Sequence, residues 1–210
     1  MLKITIKKDF RNLKQGTIYD FSDIDDMHYL IVSGENGCGK SSIFHALRGT
    51  KIDNKSYSIK SFGDLKDNVE VEHNYDRILF LDSVIDNPAD FNVAYDAVNY
   101  VESGGFEQQY LSHGQKTLSS LGKFFKDNEN NFKNSLIILD EVDKGLSLAN
   151  QAKFANVIDN LVYKHKAHVI CITHNVFTIQ NSMVVFDFEK NELMSSEKYI
   201  LEKTNYKLQK

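Results

Sequence analysis

Leu30-Ile31-Val32-Ser33, Gly34-Glu35-Asn36-Gly37-Cys38-Gly39-Lys40-Ser41-Ser42 and Ile43-Phe44-His45-Ala46-Leu47-Arg48-Gly49 follow one another without a break. The middle stretch satisfies the pattern G-x-x-x-x-G-K-[ST] of a phosphate loop in full. The apolar run before it reads as a buried strand. After it, Ile43, Phe44 and Leu47 recur at helical spacing, and Gly49 stands where a helix C-terminal cap belongs. Strand, glycine loop and helix start therefore come in the one order that gives the pattern meaning. Gly34, Gly37 and Gly39 let the backbone approach an anion without an intervening side chain. The loop from Gly34 through Asn36, Gly37, Cys38 and Gly39 to Lys40, Ser41 and Ser42 is thus the candidate phosphate cradle. Its N–H groups point inward and the helix N-terminus adds partial positive charge. Lys40 is placed to reach β- and γ-phosphates, and the Ser41 hydroxyl to ligate Mg²⁺.

On either side of this centre the pattern changes between strand and helix periods. Leu2, Ile4 and Ile6 alternate as in a half-buried strand, Asp9 to Gly16 reads as a turn, Thr17 to Phe21 as its return strand, and Ser22 to Asp26 as an acidic loop. Short strands are expected at 56–59 and 69–71. Arg77 to Asp82 is a continuous apolar run suited to a buried strand. A helix is expected at 89–103, broken by Ser103-Gly104-Gly105. A second opens at Leu111-Ser112-His113-Gly114-Gln115, and a polar connector at 126–134 follows it. Leu136 to Glu141, ending in two carboxylates, and His168 to His174, ending in a histidine, are further buried strands. A helix lies between them from near Ser147, and 183–188 with the tail forms a last strand or hairpin. Alternating strands and helices predict an α/β fold. Its central sheet is mainly parallel and flanked by helices, with an antiparallel N-terminal β part.

Asp140-Glu141 closes one of these apolar runs, and in open α/β sheets ligands sit at the carboxyl ends of the strands. Phosphoryl transfer needs a carboxylate for Mg²⁺ and a residue that positions or deprotonates the attacking water. Asp140 suits the first task and Glu141 the second.

With these residues in view, the chain resembles the ATP-binding-cassette (ABC) ATPases. Leu111-Ser112-His113-Gly114-Gln115 matches the family signature L-S-G-G-Q with His in place of the first Gly. It falls between the phosphate loop and Asp140-Glu141, and Thr173-His174 matches the family's switch histidine. The resemblance implies a phosphate-loop NTPase fold in one domain over 1–210, with a small helical subdomain at about 86–126. It implies ATP hydrolysis, with Glu141 and His174 as catalytic residues and Ser41 and Asp140 at the metal. It also implies a head-to-tail homodimer, in which Ser112, Gly114 and Gln115 of one copy meet the nucleotide of the other.

Lys8-Asp9-Phe10-Arg11-Asn12-Leu13-Lys14 and Asp140-Glu141-Val142-Asp143-Lys144-Gly145-Leu146 are similar to the non-transporter branch: RecF-like, SMC-like and overcoming-lysogenization-defect-type ATPases. That likeness makes Arg11 a candidate phosphate contact. It implies a clamp or switch for DNA repair, DNA processing or antiviral defence, with a separate nuclease-like effector chain and nucleic acid as a candidate partner. The interval from Lys40 to Ser112 is too short for a long coiled coil. The family's Gln after the strand at 77–82 is missing, with Asp82, Ser83 or Asn87 as stand-ins. Two alternatives stay open: the nucleotide-binding subunit of a membrane transporter, and a non-catalytic ATP sensor.

Composition sets the outer bounds. The 210 residues carry a net charge of -4, which gives no sign of a nucleic-acid or membrane-surface binder. The two cysteines, Cys38 and Cys171, are not disposed as a disulfide pair, so a reducing cytoplasm is expected. No apolar run reaches the length of a membrane span, and the N-terminus reads as a strand rather than a signal peptide.

Overall fold

The computed structural model describes residues 1–50, 66–83, 113–128 and 130–204. The expected strand at 56–59, the helix at 89–103 with its glycine break, most of the helical subdomain and Leu111-Ser112 lie outside the described residues. In chain order the elements are β1 (Leu2–Ile6), β2 (Ile18–Asp20), α1 (Ile24–Met27), β3 (Tyr29–Ser33), α2 (Lys40–Thr50), β4 (Val69–His73) and β5 (Arg77–Asp82). Then follow α3 (His113–Asn128), β6 (Ser135–Asp140), α4 (Leu148–Asp159), β7 (His168–Ile172), α5 (Val176–Gln180), β8 (Val184–Asp187), β9 (Glu192–Ser195) and α6 (Ser196–Thr204).

Two sheets result. A three-stranded antiparallel sheet has the order β2-β1-β4, and a six-stranded sheet the order β5-β6-β7-β3-β8-β9. In the larger sheet the pairings from β5 through β8 are parallel, and β9 returns antiparallel along β8. The central strands are continuously apolar because both faces are covered. Leu30, Val32, Leu136, Ile138, Ile170 and Ile172 point to one face. There they meet Ile43, Phe44 and Leu47 of α2 and the inner side of the small sheet, Leu2, Ile4 and Ile6. Ile31, Ile137, Leu139, Val169 and Cys171 point to the other face. Leu121 of α3, Phe154 and Ile158 of α4, Ile179 of α5 and Tyr199 of α6 cover them. With a side-chain period of two, a slip of one residue in any central strand exchanges these two sets between unlike layers, which fixes the register.

Four local expectations change. α2 runs through to Thr50, so Gly49 lies inside the helix and does not cap it. The expected acidic loop holds the single turn α1, closed by His28 in the left-handed region. The polar connector before β6 contains Phe132, buried at 2% exposure against Phe124, Phe125 and His165. The tail is a helix, α6, whose Tyr199 hydroxyl donates to Ser33 Oγ at 2.9 Å. Cys38 and Cys171 are both free, as expected. Among the described residues no helix is long and apolar enough to cross a membrane.

The end of the sheet opposite the phosphate loop carries a titratable cluster. His168, at the start of β7, packs on His28 at 4.7 Å and on Tyr75 at 5.1 Å between ring centroids. The Tyr75 hydroxyl donates to Asp25 at 2.7 Å, and Asp25 also receives the N-terminal ammonium. Burial, and then the neighbouring His28, hold the His168 pKa below that of an ordinary histidine, while Asp25 opposes them. Protons therefore bind the unfolded chain more readily. Stability is unaffected above the ordinary value of about 6.5 and is lost as the pH falls from there toward the lower folded value. Thermal melts between pH 7.5 and 5.5 should show a fall in Tm that is shallower in His168→Gln than in the parent chain. Parallel slopes would remove His168 from the linkage.

Candidate functional site

β3, β6 and β7 lie side by side, so everything that follows each of them lands on one edge. Val32 pairs with Ile172, and Ile172 with Asp140. The phosphate loop leaves β3, Glu141 leaves β6, and Thr173-His174 leave β7.

The loop is held from several sides. Lys40 is 5% exposed, and its Nζ donates to the carbonyls of Gly34 at 2.8 Å and Glu35 at 2.9 Å. Gly34, Gly37 and Gly39 all have positive φ. The turn at 10–13 lies against the loop: Asn12 Nδ2 donates to the Gly37 carbonyl, and Arg11 donates to Ser42 Oγ at 2.7 Å. A Cβ on Gly39 would sit 2.7 Å from Leu13 Cδ2, at a φ of +114°. Glu35 N–H donates to Glu189 Oε2 at 3.3 Å, from the turn that joins β8 to β9.

Asp140 ends β6 at 7% exposure, and its Oδ1 is buried without a hydrogen-bond partner. Burial first, then the adjacent Asp82 carboxylate, push its pKa up to about 6, while a hydrogen bond from Ser41 and the nearby His45 pull the other way. A buried carboxylate with an oxygen left over, facing a serine hydroxyl, fits a hard divalent cation such as Mg²⁺. Ser41 and Asp140 are the residues that would hold it.

Glu141 follows at φ 50°, left-handed for a residue with a side chain, and its N–H bonds the Ile172 carbonyl at 2.9 Å. One carboxylate oxygen pairs with Lys144 Nζ at 2.9 Å, and the other lies 3.9 Å from His174 Nε2. Burial, and then Lys40, lower the His174 pKa, which favours the neutral ring.

The structure thus brings together Gly34 to Ser42, Arg11, Asp140, Glu141 and His174. Gly114 and Gln115 fall on the first turn of α3. Ser112 lies outside the described residues.

Sequence reading missed two groups here. Asp143, 1% exposed, accepts Thr173 Oγ1 on both carboxylate oxygens at 2.8 Å and also accepts Thr178 Oγ1. Thr173 Oγ1 in turn accepts the Asn175 N–H at 2.9 Å. The loop carrying His174 is thereby tied to the loop carrying Glu141. No sequence motif announces this, because the partners are 30 and 35 residues away. The second group is His45 with Asp82, at 3.0 Å from Nε2 to Oδ2. In the sequence Asp82 is legible only as one stand-in for the missing Gln and as the end of an apolar run like that of Asp140, and the two are register partners.

The family model described as ATPase family associated with various cellular activities (AAA) matches residues 30–193. Among curated proteins, the Energy-coupling factor transporter ATP-binding protein EcfA1 of Lactobacillus johnsonii is 24% identical over 215 residues, 89% of this chain and 74% of that protein. A dimeric ATP-binding cassette in a post-hydrolysis state, bound to ADP and Pi, superimposes with a TM-score of 0.54 at 13% identity, over 93% of this chain and 99% of that one. The cbiO1 protein of Clostridium perfringens, part of the ABC transporter complex cbiONQ, gives 0.53 at 18% identity, over 99% and 95%. These structural likenesses establish the fold.

Two outcomes test the geometry. Asp143→Ala should lower stability by about 1–3 kcal/mol in urea unfolding, because two buried hydroxyls lose their acceptor. Asp143→Asn should recover part of that, and equal stability of all three proteins would dissolve the tie. Gly39→Ala should weaken ATP binding in a fluorescence titration. Adding Leu13→Ala should fail to restore it, because the strained φ outlasts the clash.

Proposed function

The chain belongs to the AAA family of ATPases, and from that premise we propose that it is the ATP-binding subunit of a membrane transport complex, working as a dimer around Mg-ATP. One observation carries the chemical part: Lys40, Asp140, Glu141 and His174 converge at one edge of the parallel sheet, although three separate strands deliver them. The fold is that of the ABC ATPases, and the enzyme hydrolyses ATP with Mg²⁺.

In this reading the loop amides and Lys40 cradle the phosphates, and Lys40 exchanges its loop carbonyls for β- and γ-oxygens. Ser41 and Asp140 hold the cation, which when bound offsets charge developing on those oxygens. Glu141 accepts the proton of an attacking water, and His174, held neutral, hydrogen-bonds the γ-phosphate and fixes that water in line. Arg11 is already tied to Ser42 Oγ and adds a positive charge beside the loop. The signature residues Ser112, Gly114 and Gln115 act on the nucleotide of the opposite copy, within one cassette of residues 1–210 whose helical part spans about 86–126.

The physiological task is supported by likeness. One relative is a transporter ATP-binding protein and another is part of an ABC transporter complex, and the chain covers most of the length of each. The expected RecF-like and SMC-like branch draws no support from them. The same holds for its clamp in DNA repair, its nuclease-like effector and its nucleic-acid partner. The transporter subunit, held as an alternative in the sequence, is therefore the reading favoured, with the chain docked on the cytoplasmic side of its membrane partner.

Glu141→Gln should keep ATP affinity, lose about 10²-fold or more in turnover, and shift to a dimer with ATP in size-exclusion chromatography with light scattering. Undiminished turnover would end the general-base role. A chain that stays monomeric in this variant would end the shared site. Copurification with a multi-span membrane protein supports the transport task, and recovery without one speaks against it.

A further inference from the structure

One lysine of α6 reaches the start of the phosphate loop through a single carboxylate. Glu189 stands in the turn between β8 and β9. Its Oε2 accepts two donors at once, the Glu35 N–H at 3.3 Å and Lys203 Nζ from the last turn of α6. The turn lies directly on the loop. A Cβ on Gly34 would meet Phe188 Cβ at 3.4 Å and Glu189 Cγ at 3.6 Å.

The surroundings fix Lys203. Its Nζ also faces Asp187 Oδ2 at 3.6 Å. Asp187 is fully buried; its Oδ1 accepts the Glu189 and Lys190 N–H groups, and its Oδ2 makes no hydrogen bond. Lys203 is thus the cation that answers its charge. One helical turn earlier, the Tyr199 ring lies 5.7 Å from Nζ, and the Tyr199 hydroxyl donates to Ser33, the residue before the loop. The Lys203 side chain is 24% exposed against 65% for Lys144, so its pair with Glu189 is less screened by solvent than that of Lys144 with Glu141. α6 therefore grips the loop at two points, Ser33 directly and Glu35 by way of Glu189.

Both backbone polar groups of Glu35 are taken up. Its N–H goes to Glu189, and its carbonyl accepts Lys40 Nζ at 2.9 Å. When Lys40 gives up that carbonyl for phosphate oxygens, Glu189 is the hold on Glu35 that remains among these contacts. A carboxylate beside the loop repels phosphates unless its charge is offset, and Lys203 offsets it while setting where it stands.

We propose that Lys203 is a positioning residue for ATP binding: through Glu189 it holds the Glu35 N–H, and so keeps the start of the phosphate loop in place once ATP has drawn Lys40 away. The proposal rests on the reading in which Lys40 exchanges its loop carbonyls for the phosphates of ATP. It gives α6, at the far end of the sequence from the loop, a part in nucleotide affinity.

ATP titration and steady-state turnover of the full chain test it. Lys203→Met and Glu189→Gln should each raise Kd and KM for ATP about three- to fivefold with kcat changed less than about twofold, and the double variant should bind no more weakly than either alone. Lys203→Arg should stay near the parent. The sign in Glu189→Gln is decisive, because removal of a negative charge beside the phosphates tightens binding if charge alone matters. The exchanged pair, Glu189→Lys with Lys203→Glu, should recover the Tm lost in either single reversal yet keep the weakened affinity, since an ammonium cannot accept the Glu35 N–H. A merely structural pair would recover both. Parent-like or tighter binding in Glu189→Gln overturns the proposal, as does full affinity in the exchanged pair. If Lys40→Ala loses ATP while Glu189→Gln keeps it, only this proposal falls; ATP binding that survives Lys40→Ala overturns the loop reading as well. Should Lys203→Met fail to fold with Asp187 left unanswered, Glu189→Gln, which retains Lys203 beside Asp187, decides alone.

Discussion

The parallel ladder that joins β6 to β7, β7 to β3 and β5 to β6 is the constraint on which the rest depends. Its register sets Asp82 beside Asp140, Asp140 beside Ile172 and Ile172 beside Val32. Four strand ends therefore stop in one row, and the next residue of each is delivered to a common edge. The ladder is stable because both faces of these strands are buried, in two separate clusters whose members alternate along each strand. Each fully buried Leu, Ile or Val contributes about 1.5–3 kcal/mol, so the cost of shifting one strand far exceeds that of any single polar contact at the edge. The positions of the polar residues are a consequence of apolar packing.

This explains which parts of the molecule are legible in the sequence. The runs at 30–33, 77–82, 136–140 and 168–172 are recognisable because burial on both faces demands unbroken apolar residues. The phosphate loop is recognisable because its chemistry demands glycine and lysine at fixed spacing. By contrast, α6 has an ordinary mixed composition and is stabilised by Tyr199 reaching Ser33, a contact across 166 residues. Phe132 sits among polar neighbours and is buried only because α3 and His165 close over it. Asp143 reads as one more acidic residue after a strand until Thr173 and Thr178 are brought to it. Local pattern carries what is local. Pairings made by the tertiary fold leave no periodic trace.

The N-terminal sheet is also part of the site. Its first turn presses Leu13 onto Gly39, bonds Asn12 to the Gly37 carbonyl and places Arg11 on Ser42. Three consecutive residues thus touch three points of the loop, and a displacement of the small sheet must deform the loop. Arg11 itself has φ 49°, so the turn is bent sharply to make these contacts. The antiparallel part accordingly braces the backbone whose curvature creates the anion site, and Glu189 braces it from the opposite end.

Glu141 is held less tightly by its side chain than by its backbone. Its N–H is fixed to the end of β7 and its φ is left-handed, a conformation that costs about 1–3 kcal/mol and persists only where the surroundings impose it. Its carboxylate, however, rests on Lys144, whose side chain is 65% exposed. A pair that open to solvent contributes about 1 kcal/mol or less. The backbone therefore aims the residue, and the lysine sets only a resting position that a phosphate and an ordered water readily outcompete. In the proposed role of Glu141 as general base, rigid aim with a loosely held carboxylate would let it engage only when the rest of the site has assembled. The tie from Asp143 to Thr173 fastens the loop that carries His174 to the loop that carries Glu141, with His174 Nε2 3.9 Å from that carboxylate.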